Sequence, residues 1–510
     1  MEAIRKFINS DYFYPILLFL FAFLLYARSL TFGLSYLDDY DFLLGNKVFF
    51  SDPGNLPRLF LTHVSITGES SMYRPLLNVT FMADTLISNA LGLSSWLIPH
   101  ASSLIFYATG TLCACCFLIA AGINQKTAFI LSLLFAAHPS LASAAAWIYG
   151  RNDPLLAIFM LFAFMIFLKY QKEKKLLLLC GYSIALMCAL LTKETAIFFI
   201  PLPFLWLFLK NKRFSDKKSF ALFTAANIIP AIAWLFLHSF AELRAMSIDI
   251  TGTAKNLLFL PVFLGKAVFP IFPSCYNMAR LADSAWYYIP AALIIIFLFR
   301  PAAKENRRMI CFGLAWFALL LIPTLANQGK PLFLYEHRLF LPMAGLMFSI
   351  AKAAETINAD KLFSFLTNRK FAKYLFGIAL AFFAATSLIA AENYKGPFLI
   401  WSRGLQETSD YYELLDTIGM IHEDYNMPQA AEIFYKRALE KNPKANYVNF
   451  RLAKLYLARK MFDETAYYME KEKSINPDFA ETPYYKHIEI ILKIEKLRKT
   501  NKARQSGKAI

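Results

Sequence analysis

Residues 97–122 read LIPHASSLIFYATGTLCACCFLIAAG, without one Lys, Arg, Asp or Glu. A helix needs about 20 predominantly apolar residues to cross the hydrocarbon core of a bilayer, and this stretch exceeds that length. Similar windows recur from near Tyr14 to about Ala391 and then stop. Their spacing predicts eleven spans, at 13–31, 97–122, 126–147, 154–168, 176–191, 195–209, 219–238, 286–299, 309–326, 338–354 and 374–391. Over the 510 residues, 57% are hydrophobic and 17% charged, against about 25% charged in soluble domains, which excludes a wholly soluble globular protein. The first window follows Arg5 and Lys6 as a signal sequence would, but it is too long and lacks a small-residue cleavage site, so it reads as a retained span. The fold class expected is all-α: a polytopic membrane domain over 1–391 with a long loop at 33–95, a soluble helical-repeat domain over 392–490, and a basic tail over 491–510.

The net charge of +17 would suggest nucleic acid in a soluble protein. Here the basic residues sit between spans and in the tail, which is a topology signal. Positive loops face the cytoplasm if that side receives the N-terminus and the loops Lys169 to Lys175, Lys210 to Lys218, Arg300 to Arg308 and Lys361 to Lys373. Parity then places loop 33–95 and the C-terminus outside, with a bacterial plasma membrane as the expected location and the endoplasmic reticulum as the fallback. The apolar segment 255–272 carries prolines at 261 and 270 and would disturb this parity as a span, so a re-entrant or interface-lying helix is expected there. Six of the seven cysteines fall inside the windows without metal-ligand spacing or a paired framework.

With this orientation the polar groups that interrupt the apolar pattern converge on one face: Asp38 and Asp39, Arg74, Arg151 and Asp153, Lys193 and Glu194, and Glu336, His337 and Arg338. Any one of them can simply snorkel at a span end; five groups at five loops point to a site. Adjacent carboxylates such as Asp38-Asp39 repel, so one should hold its proton more tightly and accept one near neutral pH, although a solvated turn carries such a pair as well. Further along the same loop, Tyr73-Arg74-Pro75-Leu76 introduces an apolar stretch that can form an amphipathic helix on the outer leaflet, with Arg74 at headgroup height. A guanidinium grips phosphate bidentately and stays charged, whereas mere interface anchoring would accept Lys equally. One base and several cations suit transfer of a group away from a lipid phosphate, which departs without needing a general acid.

Beyond about Ala391 the chain becomes charged and helical. Pro443 and Pro477 lie 34 residues apart, the tetratricopeptide period. The first unit, 412–445, places Gly419, Ala431, Tyr435, Ala438 and Pro443 at small, aromatic and terminating positions; the second, 446–479, keeps Ala453, Tyr456 and Pro477 but has Thr465, Met469 and Lys473 in a blurred second helix. Flanking segments around Trp401 and after Thr482 are expected to cover the exposed repeat ends. Such repeats hold a peptide or another protein, either the acceptor or an assembly partner.

Taken in order, Asp38-Asp39 followed by Asn46, Tyr73-Arg74-Pro75-Leu76, His138-Pro139, Gly150-Arg151-Asn152-Asp153, Thr192-Lys193-Glu194-Thr195 and Glu336-His337-Arg338-Leu339-Phe340-Leu341-Pro342 resemble the polytopic GT-C glycosyltransferases. Most closely they resemble the transmembrane-and-tetratricopeptide O-mannosyltransferases, and the resemblance covers nearly the whole chain. It implies Asp38 or Asp39 as the base that activates an acceptor hydroxyl, and Arg74, Lys193, His337 and Arg338 near the donor phosphate. It further implies His138, Arg151, Asp153, Glu194 and Glu336 as residues shaping the site. Relatives commonly carry an acidic residue five positions after the His of His-Pro, where this chain has Ser143.

The function expected is inverting transfer of mannose or another hexose from polyprenyl phosphate to a hydroxyl on a protein or glycan, with no cofactor, no resident metal and no nucleic-acid partner. Within enzymes the competitor is an oligosaccharide ligase or polymerase with a pyrophosphate-linked donor, which would require a divalent metal at the acidic pair. From another class comes a noncatalytic membrane scaffold, for which Ser143 speaks. No P-loop or Rossmann glycine fingerprint is present, and the absence of an inverted repeat argues against a transporter.

Overall fold

A computed structural model describes residues 13–66, 70–94, 96–210, 217–241, 248–271, 273, 278–300, 304–326, 332–355, 370–408 and 411–505, with the side chains of 370–373 and 502–505 outside the description. Parts of the loops 210–218, 300–308 and 361–373, and residues Arg5 and Lys6, fall outside the described residues. Described secondary structure is helical throughout, apart from an isolated bridge between Met278 and Phe333. Two compact units emerge, 1–400 and 401–510.

Among the described residues of the first unit, six helices are long and apolar enough to cross a membrane: Leu97–Ala120, Tyr149–Glu173, Lys217–His238, Leu281–Phe299, Lys304–Leu325 and Tyr374–Glu392. Gln125–Ala136 and Pro139–Ala146 pass the same test together but bend by 64° at their junction, making up to seven. The break has a local cause. Pro139 forces the residue before it out of the helical region, and His138 is extended at ψ 122°. Phe13–Leu25, Leu176–Thr192 and Glu194–Leu209 are apolar but shorter. The window 338–354 becomes a short 3-10 turn, Glu336–Leu339, followed by Phe340–Ala354, most of which is buried in the protein interior. Segment 255–272 forms Ile250–Asn256, Leu257–Phe259 and Leu260–Val268 in series, none long enough to cross.

Glycine sets the closest helix contacts. A Cβ on Gly313 would stand 2.3 Å from the carbonyl oxygen of Gly345, and one on Gly345 would stand 2.6 Å from that of Gly313. Lys304–Leu325 and Phe340–Ala354 therefore meet backbone to backbone, the small-residue packing that membrane helices use where hydrophobic exclusion from water is absent. Beside this contact Trp316 packs its ring 5.2 Å from Phe117, 5.3 Å from Phe164 and 5.9 Å from Phe199, and donates its indole N–H to the Leu341 carbonyl at 3.0 Å. A buried tryptophan keeps its one donor satisfied in this way.

Within loop 33–95 the apolar stretch after Arg74 forms the helix Pro75–Leu91. Its buried face carries Asn78, Asp84, Thr85 and Ser88 beside Leu77 and Phe81, while Ile87 and Leu91 are exposed. Polar groups thus turn into the protein.

The second unit contains the helical hairpins Tyr412–Asp424 with Pro428–Lys441 and Val448–Ala458 with Phe462–Ile475, followed by Pro483–Gln505. Gly419 sits against Tyr435, where a Cβ would stand 2.4 Å from the ring. Leu415, Ala431, Tyr435, Ala438, Val448 and Leu452 share one core. In the second hairpin Thr465 and Met469 are buried and Lys473 is exposed. The buried Glu472 accepts the Tyr447 N–H at 2.8 Å, Tyr447 being the left-handed residue (φ 68°) that opens Val448–Ala458. A carboxylate at a helix N-terminus satisfies donors that have no partner within the helix.

Candidate functional site

The acidic pair lies in a strained turn. Tyr36 has φ 63°, a region a bulky side chain occupies only when its surroundings hold it there. Two restraints are visible. The Tyr36 and Tyr40 rings stack at 3.9 Å, and Asp39 gathers the backbone: the Ser35 N–H donates to Oδ2 at 2.7 Å, the Ser35 hydroxyl to Oδ1 at 2.8 Å, and the Leu37 N–H to Oδ1 at 3.0 Å. Asp39 is buried and both of its oxygens are committed to the turn.

Asp38 differs. It is half-buried and, among the described residues, neither accepts a hydrogen bond nor forms an ion pair. Loss of solvation pushes its carboxyl up to about 6, opposed by the positive charge of Arg74, reinforced by Asp39 and Asp41, and opposed again by Arg338. Burial raises Asp39 as well, and the donors from Ser35 and Leu37 pull it back.

Arg74 is the next layer. Its Nε donates to Glu194 Oε2 at 3.1 Å and its Nη1 to the Tyr149 hydroxyl at 3.1 Å, while Glu194 Oε1 accepts the Tyr73 N–H at 2.8 Å. Glu194 therefore fixes both the backbone and the guanidinium of Tyr73-Arg74. Beside it, Lys193 Nζ donates to Asp153 Oδ1 at 2.7 Å and to Asn152 Oδ1 at 3.2 Å. His337 Nε2 stands 3.9 Å from Asp153 Oδ2, too far for a hydrogen bond, and that buried oxygen accepts none among the described residues. Arg338 lies over the Tyr335 ring at 4.9 Å without an ion pair among the described residues. Mutual electrostatic influence links Asp38, Arg74, Asp153, Lys193, His337 and Arg338 into one neighbourhood.

Three expected site residues have partners of their own. Arg151 is fully buried; it donates to Asp84 Oδ2 at 2.5 Å, to the Pro99 carbonyl at 2.5 Å and to the Ser103 hydroxyl at 3.0 Å. Glu336 accepts from Lys266 Nζ at 2.6 Å, both buried. His138 Nε2 lies 3.1 Å from the Ala267 carbonyl. The last two contacts join the C-terminal end of Leu260–Val268 to the junctions at 138 and 336. Ser143 is buried in a run of alanines, and its carbonyl lies where a Cβ on Gly150 would fall, at 2.6 Å.

Asp84 and Lys266 escaped the sequence reading. A signal existed for each: an ionisable residue within an apolar stretch needs a partner, and both interrupt such stretches. Among the described residues no group of three or more His, Cys, Asp or Glu side chains is placed to hold a metal ion.

No protein-family model matches the chain, and no curated protein matches it. The chemistry therefore rests on the side chains. Among the described residues, two charged groups of the cluster, Asp38 and Arg338, have no hydrogen-bond or ion-pair partner, one a proton acceptor with elevated basicity and the other a planar cation over the Tyr335 ring.

Proposed function

We propose that the protein is an inverting glycosyltransferase that moves a hexose from polyprenyl phosphate to a hydroxyl on a protein or glycan at the outer face of a membrane. One observation carries the reading: a half-buried carboxylate without a hydrogen-bond or ion-pair partner among the described residues, Asp38, stands under the influence of Arg74 and Arg338. Asp38 takes the proton from the acceptor hydroxyl, whose oxygen attacks the anomeric carbon. The bond from that carbon to the phosphate oxygen breaks, and the lipid phosphate leaves with the electron pair. Arg338 and Arg74 offset the charge that develops on the leaving oxygen. Lys193, held on Asp153, adds a further cation, and the His337 imidazole stands beside the same carboxylate, kept neutral by burial.

On this reading the eleven apolar windows are the spans, and the hairpins over 412–475 are tetratricopeptide repeats that hold the acceptor protein outside a bacterial plasma membrane. The order of motifs from Asp38-Asp39 to Glu336-His337-Arg338 supports the family likeness to O-mannosyltransferases. The test is release of polyprenyl phosphate from labelled polyprenyl-phosphate hexoses with cell-envelope protein as acceptor. Turnover that survives chelator favours this reading over the metal-requiring ligase, and absence of turnover with every donor leaves the noncatalytic scaffold.

A further inference from the structure

The last described helix, Pro483–Gln505, has two unlike faces. Its inner face sends Tyr485 and Ile488 into a core with Ala453 and Met469, with Leu492 packed alongside. At 100° per residue, Ile490, Ile494 and Leu497 fall on the opposite face and line up as i, i+4 and i+7. They are 55%, 46% and 64% exposed, an apolar ridge turned away from the repeats. Cationic side chains border it, Lys486 and Lys493 along one edge and Arg498 along the other, beside His487. The helix has two acidic residues, Glu489 and Glu495, and both fall on the inner half. Lys486, Lys493 and Arg498 have ion-pair partners in Glu481 at 2.8 Å, Glu489 at 3.4 Å and Glu495 at 3.6 Å. Each of those cations is more than half exposed, and such surface pairs hold a side chain only weakly.

We infer that this face of Pro483–Gln505 lies on an anionic lipid surface, with Ile490, Ile494 and Leu497 entering the headgroup boundary and Lys486, Lys493 and Arg498 reaching the lipid phosphates. Charge complementarity selects the occupant. A protein groove would take the apolar ridge without needing cations on both edges, whereas a ridge rimmed by long basic side chains is the pattern of helices that lie in a lipid interface. From Lys493 to Ile510 the sequence holds seven basic residues, Lys493 and Arg498 among them, against one acidic, extending the same attraction. Each basic residue held at an anionic surface favours the bound state roughly fivefold.

The test uses the full chain in nanodiscs of phosphatidylcholine alone or mixed with phosphatidylglycerol, read by amide hydrogen exchange over 486–499, with 448–458 as internal reference. Exchange over 486–499 is expected to slow roughly fivefold or more in the anionic discs, with 448–458 unchanged. High salt and the variant Lys486→Glu/Lys493→Glu/Arg498→Glu should abolish the difference, and Ile490→Ser/Ile494→Ser/Leu497→Ser should reduce it. Equal exchange in the two lipids overturns the inference. Slowing that persists at high salt, or in detergent, identifies a protein or a second copy of the chain as the occupant and overturns it too.

Discussion

The Ser35 N–H donates to Asp39 Oδ2 at 2.7 Å, and the Ser35 hydroxyl to Oδ1 at 2.8 Å. That relationship gives two neighbouring carboxylates different settings: Asp39 holds the turn, and Asp38 is the one that the proposed mechanism uses as its base. Asp39→Asn puts an amide donor where an acceptor is required, and should cost about 1–3 kcal/mol of stability. Thermal unfolding of the purified protein should show a lowered midpoint for Asp39→Asn and an unlowered one for Asp38→Asn. A matched loss in both variants would remove the division of labour.

The elevated Asp38 carboxyl predicts a pH dependence with a definite sign. Its value rises from 3.8 to about 6 in the folded protein, so the folded state binds the proton more tightly than the unfolded chain does. The stability this group contributes is complete below about 3.8 and is lost as pH rises through about 6. Under the proposed mechanism activity runs the opposite way, because a base must be ionised: turnover should fall with unit slope as pH drops through about 6. A pH–rate profile checks this, and an acidic limb well below that value would assign the base elsewhere.

Arg151 and Asp84 form a buried pair at 2.5 Å, with Arg151 also holding the Pro99 carbonyl. Removing one partner strands a charge, so Arg151→Met or Asp84→Leu alone should destabilise by about 3–5 kcal/mol. The double variant should cost clearly less than the sum. Unfolding midpoints of the three proteins give the coupling, and strict additivity would mean that the pair does not act as one unit.

How far the chain could be read before its structure follows from the range of each signal. Apolar length marks helices such as Leu97–Ala120, and the Pro139 break is local chemistry, visible in the dipeptide His138-Pro139. Gly419 and Tyr435 share a hairpin, so the repeat period exposes their contact. By contrast, Lys266 meets Glu336 from 70 positions away and Asp84 meets Arg151 from 67; no periodicity carries such pairings. The sequence also leaves Asp38 and Asp39 equivalent, because the donors that distinguish them appear only once Tyr36 turns left-handed. In the helix Pro75–Leu91 the polar residues Asn78, Asp84, Thr85 and Ser88 face inward, and the partners that make this possible, such as Arg151, come from elsewhere in the chain.

Gly419 offers a check on the second unit. A methyl group there would press into the Tyr435 ring at 2.4 Å, overpacking that typically costs about 1–3 kcal/mol. Gly419→Ala should accelerate amide exchange across Tyr412–Asp424 and Pro428–Lys441, and unchanged exchange would contradict the tight hairpin.

The most direct test of the central claim compares wild type with Asp38→Asn for release of polyprenyl phosphate from labelled polyprenyl-phosphate hexoses, with matched folding controls. Loss of the general base is expected to slow turnover by about 10²–10⁴-fold in a variant whose unfolding midpoint is not lowered. Wild-type turnover by Asp38→Asn would contradict the assignment of Asp38 as the base.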